Sequence, residues 1–183
     1  TAGAKVSFTN TRNGINYDTS DPTLVQDDYF RYKEQIYALY ADYSREYSER
    51  FSMQLGLRME HTRTTGISEA KDTEDKHDYT RLFPTVYLLY SPTDGHALNF
   101  SFSNRISRPS QNMVNPFPFY QNKYTYACGR EDLKPSYTYN AELGYTLKNN
   151  FNVSAYYSYS DDVFFQVVDL DAETNVTSFL WEN

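Results

Sequence analysis

The sequence has little cysteine and no long apolar run. Cys128 is the only cysteine among 183 residues, which rules out an internal disulfide and leaves the redox compartment undetermined. No segment reaches the roughly 18 uninterrupted apolar residues that a transmembrane helix needs, and the mean hydropathy is negative. A transmembrane β-barrel remains compatible with these features, because only alternate residues of a barrel strand face lipid and the average stays polar.

Clustered basic residues and catalytic motifs are also missing. The formal net charge is −7 and the Lys and Arg residues are scattered, which argues against nucleic acid as a partner. The sequence shows no nucleophile with a base and an orienting group, no glycine-rich phosphate loop and no carboxylate pair with a defined role. We therefore expect no catalytic residues and no enzymatic activity.

Acidic residues and histidines occur without the spacing of a metal site. The acidic stretches Asp18–Asp28 and Glu69–Asp78 lack the fixed ligand order of a calcium loop, so solvated charge is the expected interpretation over Ca²⁺ binding. His61, His77 and His96 are isolated and show no zinc spacing. We predict neither a metal nor another cofactor.

Tyrosine and phenylalanine are abundant, with 19 and 12 copies, and apolar residues alternate with polar ones along most of the chain. In Phe51–Met59 and in Tyr137–Leu147 every second residue is apolar, so one face of each segment is apolar if it is a strand. This period predicts an all-β, antiparallel up-and-down meander of about eight long strands. We place the strands at about 2–10, 28–44, 47–64, 78–91, 95–107, 134–148, 150–169 and 174–182.

The predicted connections alternate between long and tight. They are long at 10–27, 65–77 and 106–134, and tight at 44–46, 91–95 and 148–150. Outer-membrane barrels have short periplasmic turns and longer extracellular loops. The chain starts at Thr1, already in strand-like sequence, and we expect it to be a segment of a larger barrel.

The polar face of the predicted strands carries charges in mid-strand. These are Glu34, Arg58, Glu60, Arg81, Arg105 and Glu142. In a tightly packed core each charge would cost several kcal/mol unless paired, whereas a hydrated or plug-filled lumen tolerates them. The solvent-facing side of a soluble antiparallel sheet would tolerate them too. The charges therefore leave both interpretations open, and the loop rhythm together with the abundant tyrosines favours a barrel whose apolar face meets lipid.

Several motifs, in order along the chain, resemble the barrel of TonB-dependent receptors, and most of all the Bacteroidetes-type outer-membrane β-barrel family. They are Phe30–Tyr40 (FRYKEQIYALY), Leu55–Glu60 (LGLRME), Phe83-Pro84, Arg105–Ser110 (RISRPS), Val114–Phe117 (VNPF), Gly129–Pro135 (GREDLKP) and Tyr139–Tyr145 (YNAELGY). The sequence departs from the family at Arg130-Glu131, where Asn-Pro is usual, and Cys128 before that glycine is unusual.

The resemblance implies a ligand-gated importer in the bacterial outer membrane. Such a receptor has a barrel of about 22 strands around a plug, and a TonB-type partner in the inner membrane energises it through the plug. Residues 1–183 would then be one partial barrel domain that lacks the plug and the remaining strands. Its partners would be outer-membrane lipid, the rest of the barrel with its plug, and a nutrient ligand such as a sugar or a siderophore.

The candidate ligand- or plug-facing residues are Arg58, Glu60, Arg105, Arg108, Glu142, Tyr120 and Tyr124. For Arg105 and Arg108 the alternative role is to hydrogen-bond the longest outer loop in place. For the loop tyrosines, the alternatives to ligand stacking are packing within the loop and an interfacial aromatic girdle.

Two other classes of protein fit parts of the pattern. A soluble or surface-attached carbohydrate-binding β-sandwich would close the apolar face into a dry core. A passive structural porin or adhesin barrel would have no plug.

Overall fold

The computed structural model describes residues 1–15, 28–68, 72–148 and 150–183. These residues form eleven strands and one short helix. In chain order they are β1 (Ala2–Ile15), β2 (Asp28–Ser48), β3 (Phe51–Ser68), β4 (Thr73–Tyr90), β5 (His96–Ser107), α1 (Gln111–Val114), β6 (Phe119–Asn122), β7 (Thr125–Cys128), β8 (Ser136–Leu147), β9 (Phe151–Asp161), β10 (Phe165–Asp171) and β11 (Val176–Glu182). No helix within these ranges is long and apolar enough to cross a membrane.

Seven strands form one antiparallel meander in the order β1-β2-β3-β4-β5-β8-β9, which confirms the predicted all-β class. The three tight connections follow β2, β4 and β8, so they lie at the same end of the sheet. There the N–H of Ser91 donates to the carbonyl of Arg50 over 2.8 Å, which ties two of these turns together. A strand of 12 residues such as β5 is about 40 Å long and, tilted by about 40°, spans about 30 Å, the thickness of a hydrocarbon core.

The register places the charged residues of the middle of the meander on one face and most of its large apolar residues on the other. On the apolar face Leu39 lies opposite Met59, and Met59 lies opposite Leu82. All three side chains are exposed, as are most large apolar residues of this face. On the other face Glu60 lies opposite Arg81. In a β-sandwich this apolar face would instead be buried against a second sheet in a dry core.

The hairpin of β3 and β4 is longer than predicted. Residues 65–77 were expected to form a loop, yet β3 continues to Ser68 and β4 starts at Thr73. Cross-strand and same-strand ion pairs stabilise this polar extension, including Arg63–Asp78 at 2.9 Å and Lys76–Glu74 at 2.9 Å. Polar composition suggested a loop, but a hairpin that projects into water can be polar on both faces. Most of the predicted loop at 10–27, with the acidic residues Asp18, Asp21 and Asp27, lies outside the described residues.

The meander ends at β9, so the second half of the predicted strand at 150–169 and the predicted strand at 174–182 do not extend it. The single strand predicted at 150–169 is wrong, because β9 ends at Asp161 and Asp162 has a left-handed backbone with φ of 50°. After this break β10 pairs with β11, and β11 runs parallel to β7. A second sheet results, in the order β10-β11-β7-β6.

An apolar cluster fastens the second sheet and its flanking loops to the polar face of β2. Phe30 of β2 packs with Val114, Phe117 and Leu133, and Trp181 of β11 lies against them. We call residues 108–135 and 162–183 the loop module. The module thus covers one end of the polar face of the meander.

Candidate functional site

A buried ion cluster joins the loop module to the wall formed by the meander. Arg108, one residue beyond β5, donates from Nη2 to Oε2 of Glu60 over 2.7 Å and to Oγ1 of Thr62 over 3.0 Å. Its Nε lies 4.0 Å from Oε1 of Glu34. Glu60 and Thr62 are alternate residues of β3, so period two places both on the polar face under the loop.

Arg58 is the second cation of this cluster. Its Nη2 lies 2.8 Å from Oε1 of Glu60, and its guanidinium stacks over Phe83 at 5.3 Å. The carboxylate of Glu60 therefore contacts one guanidinium on each oxygen, although its side chain is only 7% exposed. Two charge-assisted contacts offset the desolvation of a buried carboxylate, which would otherwise be costly.

Arg108 stays charged in spite of its burial. Burial by itself would lower the pKa of Arg108, but hydrogen bonds to Glu60 and Tyr79 raise it above its ordinary value. The side chain is 19% exposed, so it acts as a nearly buried, permanently charged anchor for the start of the loop module.

A concavity of about 560 Å³ lies on the polar face beside this cluster. Charged residues from four strands line it, namely Lys5, Asp42, Arg58, Glu60 and Arg105. Tyr40 and Phe83 contribute aromatic surface. A hollow of this size that carries both signs of charge suits a polar ligand or a protein segment with its own charges.

The structure brings some of the predicted site residues together and separates others. Arg58, Glu60 and Arg108 meet in the ion cluster, and Arg105 is exposed beside them in the concavity. Glu142 lies further along the polar face, opposite Ser101 of β5 and Tyr156 of β9.

The two predicted tyrosines belong to the loop module. The ring of Tyr120 in β6 lies 5.5 Å from that of Tyr126 in β7. Tyr124 is exposed in the turn between these strands, where its N–H donates to Oδ1 of Asn122 over 2.8 Å. Neither tyrosine lines the concavity on the polar face of the meander.

Sequence reasoning missed several members of the cluster and of the concavity. Thr62 and Tyr79 contact Arg108, while Lys5 and Asp42 line the hollow. The period-two alternation could have pointed to them, because side chains at every second position of a strand share a face. With the strand register known, each of these residues lies on the polar face together with a predicted site residue.

A meander with a lipid-like apolar face, a charged opposite face and a folded loop module on that face defines a wall of a transmembrane β-barrel. The chain belongs to the outer membrane protein β-barrel family, whose model matches residues 1–183. It is therefore a component of the bacterial outer membrane. No curated protein matches the sequence.

Three solved structures resemble the chain over its whole length. They are the siderophore receptor PirA of Pseudomonas aeruginosa (13% identity, TM-score 0.48, 45% of that chain covered), a mutant of the ferric enterobactin receptor PfeA of the same species (12%, 0.49, 36%) and PirA of Acinetobacter baumannii (12%, 0.43, 38%). The chain thus spans less than half the length of each of these receptors.

Proposed function

We propose that the chain is a wall segment of a TonB-dependent outer-membrane receptor that imports a nutrient ligand, and that its role is not enzymatic. In this proposal residues 1–183 form a partial barrel domain. The plug and the other strands belong to the rest of the protein, and a TonB-type protein acts through the plug.

The observation that carries the proposal is the charged polar face beneath an anchored loop module. Arg105 is exposed on that face, and Lys5 and Asp42 line the same hollow. Exposed charges in the middle of a barrel strand require water or a charged protein surface opposite them, because an unpaired charge in an apolar environment is costly. A plug in the lumen supplies such a surface, and the loop module narrows the entry above it.

The site residues take different roles in this proposal. Arg58, Arg105 and Glu142 face the plug or the passing ligand. Arg108 and Glu60 hold the loop module in place. Tyr120 and Tyr124, in the β6–β7 hairpin, offer aromatic surface at the entry to the lumen.

Site-specific photo-crosslinking in the intact receptor tests the proposal. A benzophenone amino acid at Arg105 should crosslink to peptides of a plug domain, because it faces the lumen. The matched probe at Met59, on the lipid face of β3, should give no plug crosslink. Absence of plug crosslinks at Arg105, together with an open ohmic conductance in planar bilayers, would instead identify a passive porin.

A further inference from the structure

A second pocket lies between the loop module and the end of β1, and it shares no lining residue with the charged concavity. It has a volume of about 430 Å³, within the range of roughly 300–1,000 Å³ typical of small-molecule sites. It forms where the outer end of β1 meets α1, the β6–β7 hairpin and β11. The side chains that matter are Phe117, Phe119, Trp181, Asn13, Asn112 and Asn115.

The aromatic residues provide flat apolar surface at different depths. Phe117 is buried and Trp181 half-buried, and both belong to the apolar cluster that holds the loop module. Phe119 is 60% exposed, so its ring remains available to a ligand from solvent. A ligand with its own apolar face can therefore stack in this pocket without displacing the cluster.

The polar groups in the pocket are neutral amides. Oδ1 of Asn115 accepts the N–H of Phe117 over 3.2 Å, which fixes the orientation of this amide. The Nδ2 group of Asn115 takes no part in that hydrogen bond. Asn112 is exposed, and Asn13 lies on the polar face of β1, paired in register with Phe30. Amides of this kind both donate and accept hydrogen bonds, as ligand hydroxyl groups do.

Among the described residues that line this pocket, none is charged. Arg12 is next to Asn13 in sequence, but it lies on the opposite face of β1 and stacks over Tyr29 at 4.8 Å. An anionic ligand would lose hydration here without gaining a cation, which is unfavourable. The charged concavity beside Arg58 differs from this pocket in that respect.

We infer that the loop module captures a neutral carbohydrate, with a sugar ring against Phe119 and its hydroxyl groups on the amides of Asn112 and Asn115. Sugar rings combine an apolar face of C–H groups with a rim of hydroxyl groups, which matches aromatic surface next to uncharged amides. The inference rests on the proposed function, for which it names the substrate class.

Binding to the intact, detergent-purified receptor tests the inference without any energy source. The probes are neutral glucan, mannan, galactan and xylan oligosaccharides, with oligogalacturonate and ferric enterobactin as anionic comparators. We expect at least one neutral oligosaccharide to bind in calorimetry, with an affinity that stays constant up to about 1 M salt. Phe119→Ala should weaken it by about tenfold and Asn112→Ala by several-fold.

Phe165→Ala is the matched control, because Phe165 is an exposed phenylalanine of the same second sheet that does not line the pocket. It should leave the affinity unchanged. The inference is overturned if only the anionic probes bind, if no oligosaccharide binds, or if Phe119→Ala and Phe165→Ala behave alike. Energised uptake of an anionic ligand without sugar binding would refute this inference alone. Sugar binding in a barrel without a plug would refute only the proposed import mechanism.

Discussion

Removal of the Arg108 guanidinium is the sharpest test of how the loop module is held. Arg108→Met keeps most of the side-chain volume but leaves Glu34 without its cation and Glu60 with Arg58 alone. Breaking a buried ion pair by removing one partner costs about 3–5 kcal/mol. Because Arg58 still pairs with Glu60, we expect the lower end of that range, about 3 kcal/mol. This corresponds to a roughly hundredfold larger population of the open loop.

Native-state proteolysis of the loop module measures this population when the loop opens and closes faster than it is cut. A double-mutant cycle with Glu60→Gln should give a coupling free energy above about 1 kcal/mol, because the two side chains touch directly. Arg130→Met is the matched control, since Arg130 pairs with Asp132 at 2.9 Å on the exposed surface of the same module. Equal cleavage rates for Arg108→Met and Arg130→Met would refute the anchoring role.

Three further predictions concern the lipid face, the loop module and its dependence on pH. Leu143→Arg should block membrane assembly, because an arginine on the lipid face costs about 2–4 kcal/mol near mid-bilayer, whereas Ser101→Arg on the polar face should still assemble. Heat-modifiable mobility on gels distinguishes assembled from unassembled barrels, and equal behaviour of the two variants would contradict the assigned faces. Gly129→Ala should speed proteolysis of the module, because a Cβ there would collide with backbone oxygens of Met113 and Asn115; an unchanged rate would show that the contact adapts. A hydrogen bond from Thr174 lowers the pKa of Asp171 below its ordinary 3.8, so the β10–β11 turn should be stable above that pH and loosen as pH falls further. Asp171→Asn should remove this acid dependence in hydrogen exchange, and its persistence would point to another group.

The meander and its two faces were predictable because both depend on local sequence. Alternation within Phe51–Met59 determines which residues share a face, and the tight turn before Phe51 sets the pairing with β2. Strand ends were less predictable where the hairpin leaves the membrane, because alternation stops there. The break at Asp162 was not predicted, since the Val and Phe residues that follow it also favour a strand. The pairing of β10 with β11, and of β11 with β7, shows that the chain has left the main sheet.

The ion cluster and the second pocket depend on contacts between residues distant in sequence. Arg108 and Glu60 are 48 positions apart in the sequence, and because Arg108 lies beyond the end of β5, only the tertiary structure shows that it reaches Glu60. The position of Tyr137 also depends on such distant contacts. Alternation predicted it on the apolar face, but it is buried with the guanidinium of Arg81 5.0 Å from its ring. The residues of β4 that precede Thr85 are not paired with β5, which leaves space for this ring.

Spin-label accessibility at adjacent residues tests the central claim most directly. The pairs are Leu143 with Glu142 in β8 and Phe100 with Ser101 in β5, each replaced by cysteine in a Cys128→Ser receptor and reconstituted in lipid. The assigned facing predicts collisions with oxygen at Leu143 and Phe100, and with a water-soluble nickel chelate at Glu142 and Ser101. Equal oxygen access at both members of each pair, or the reverse order, would contradict a barrel wall with lipid on one side and a lumen on the other.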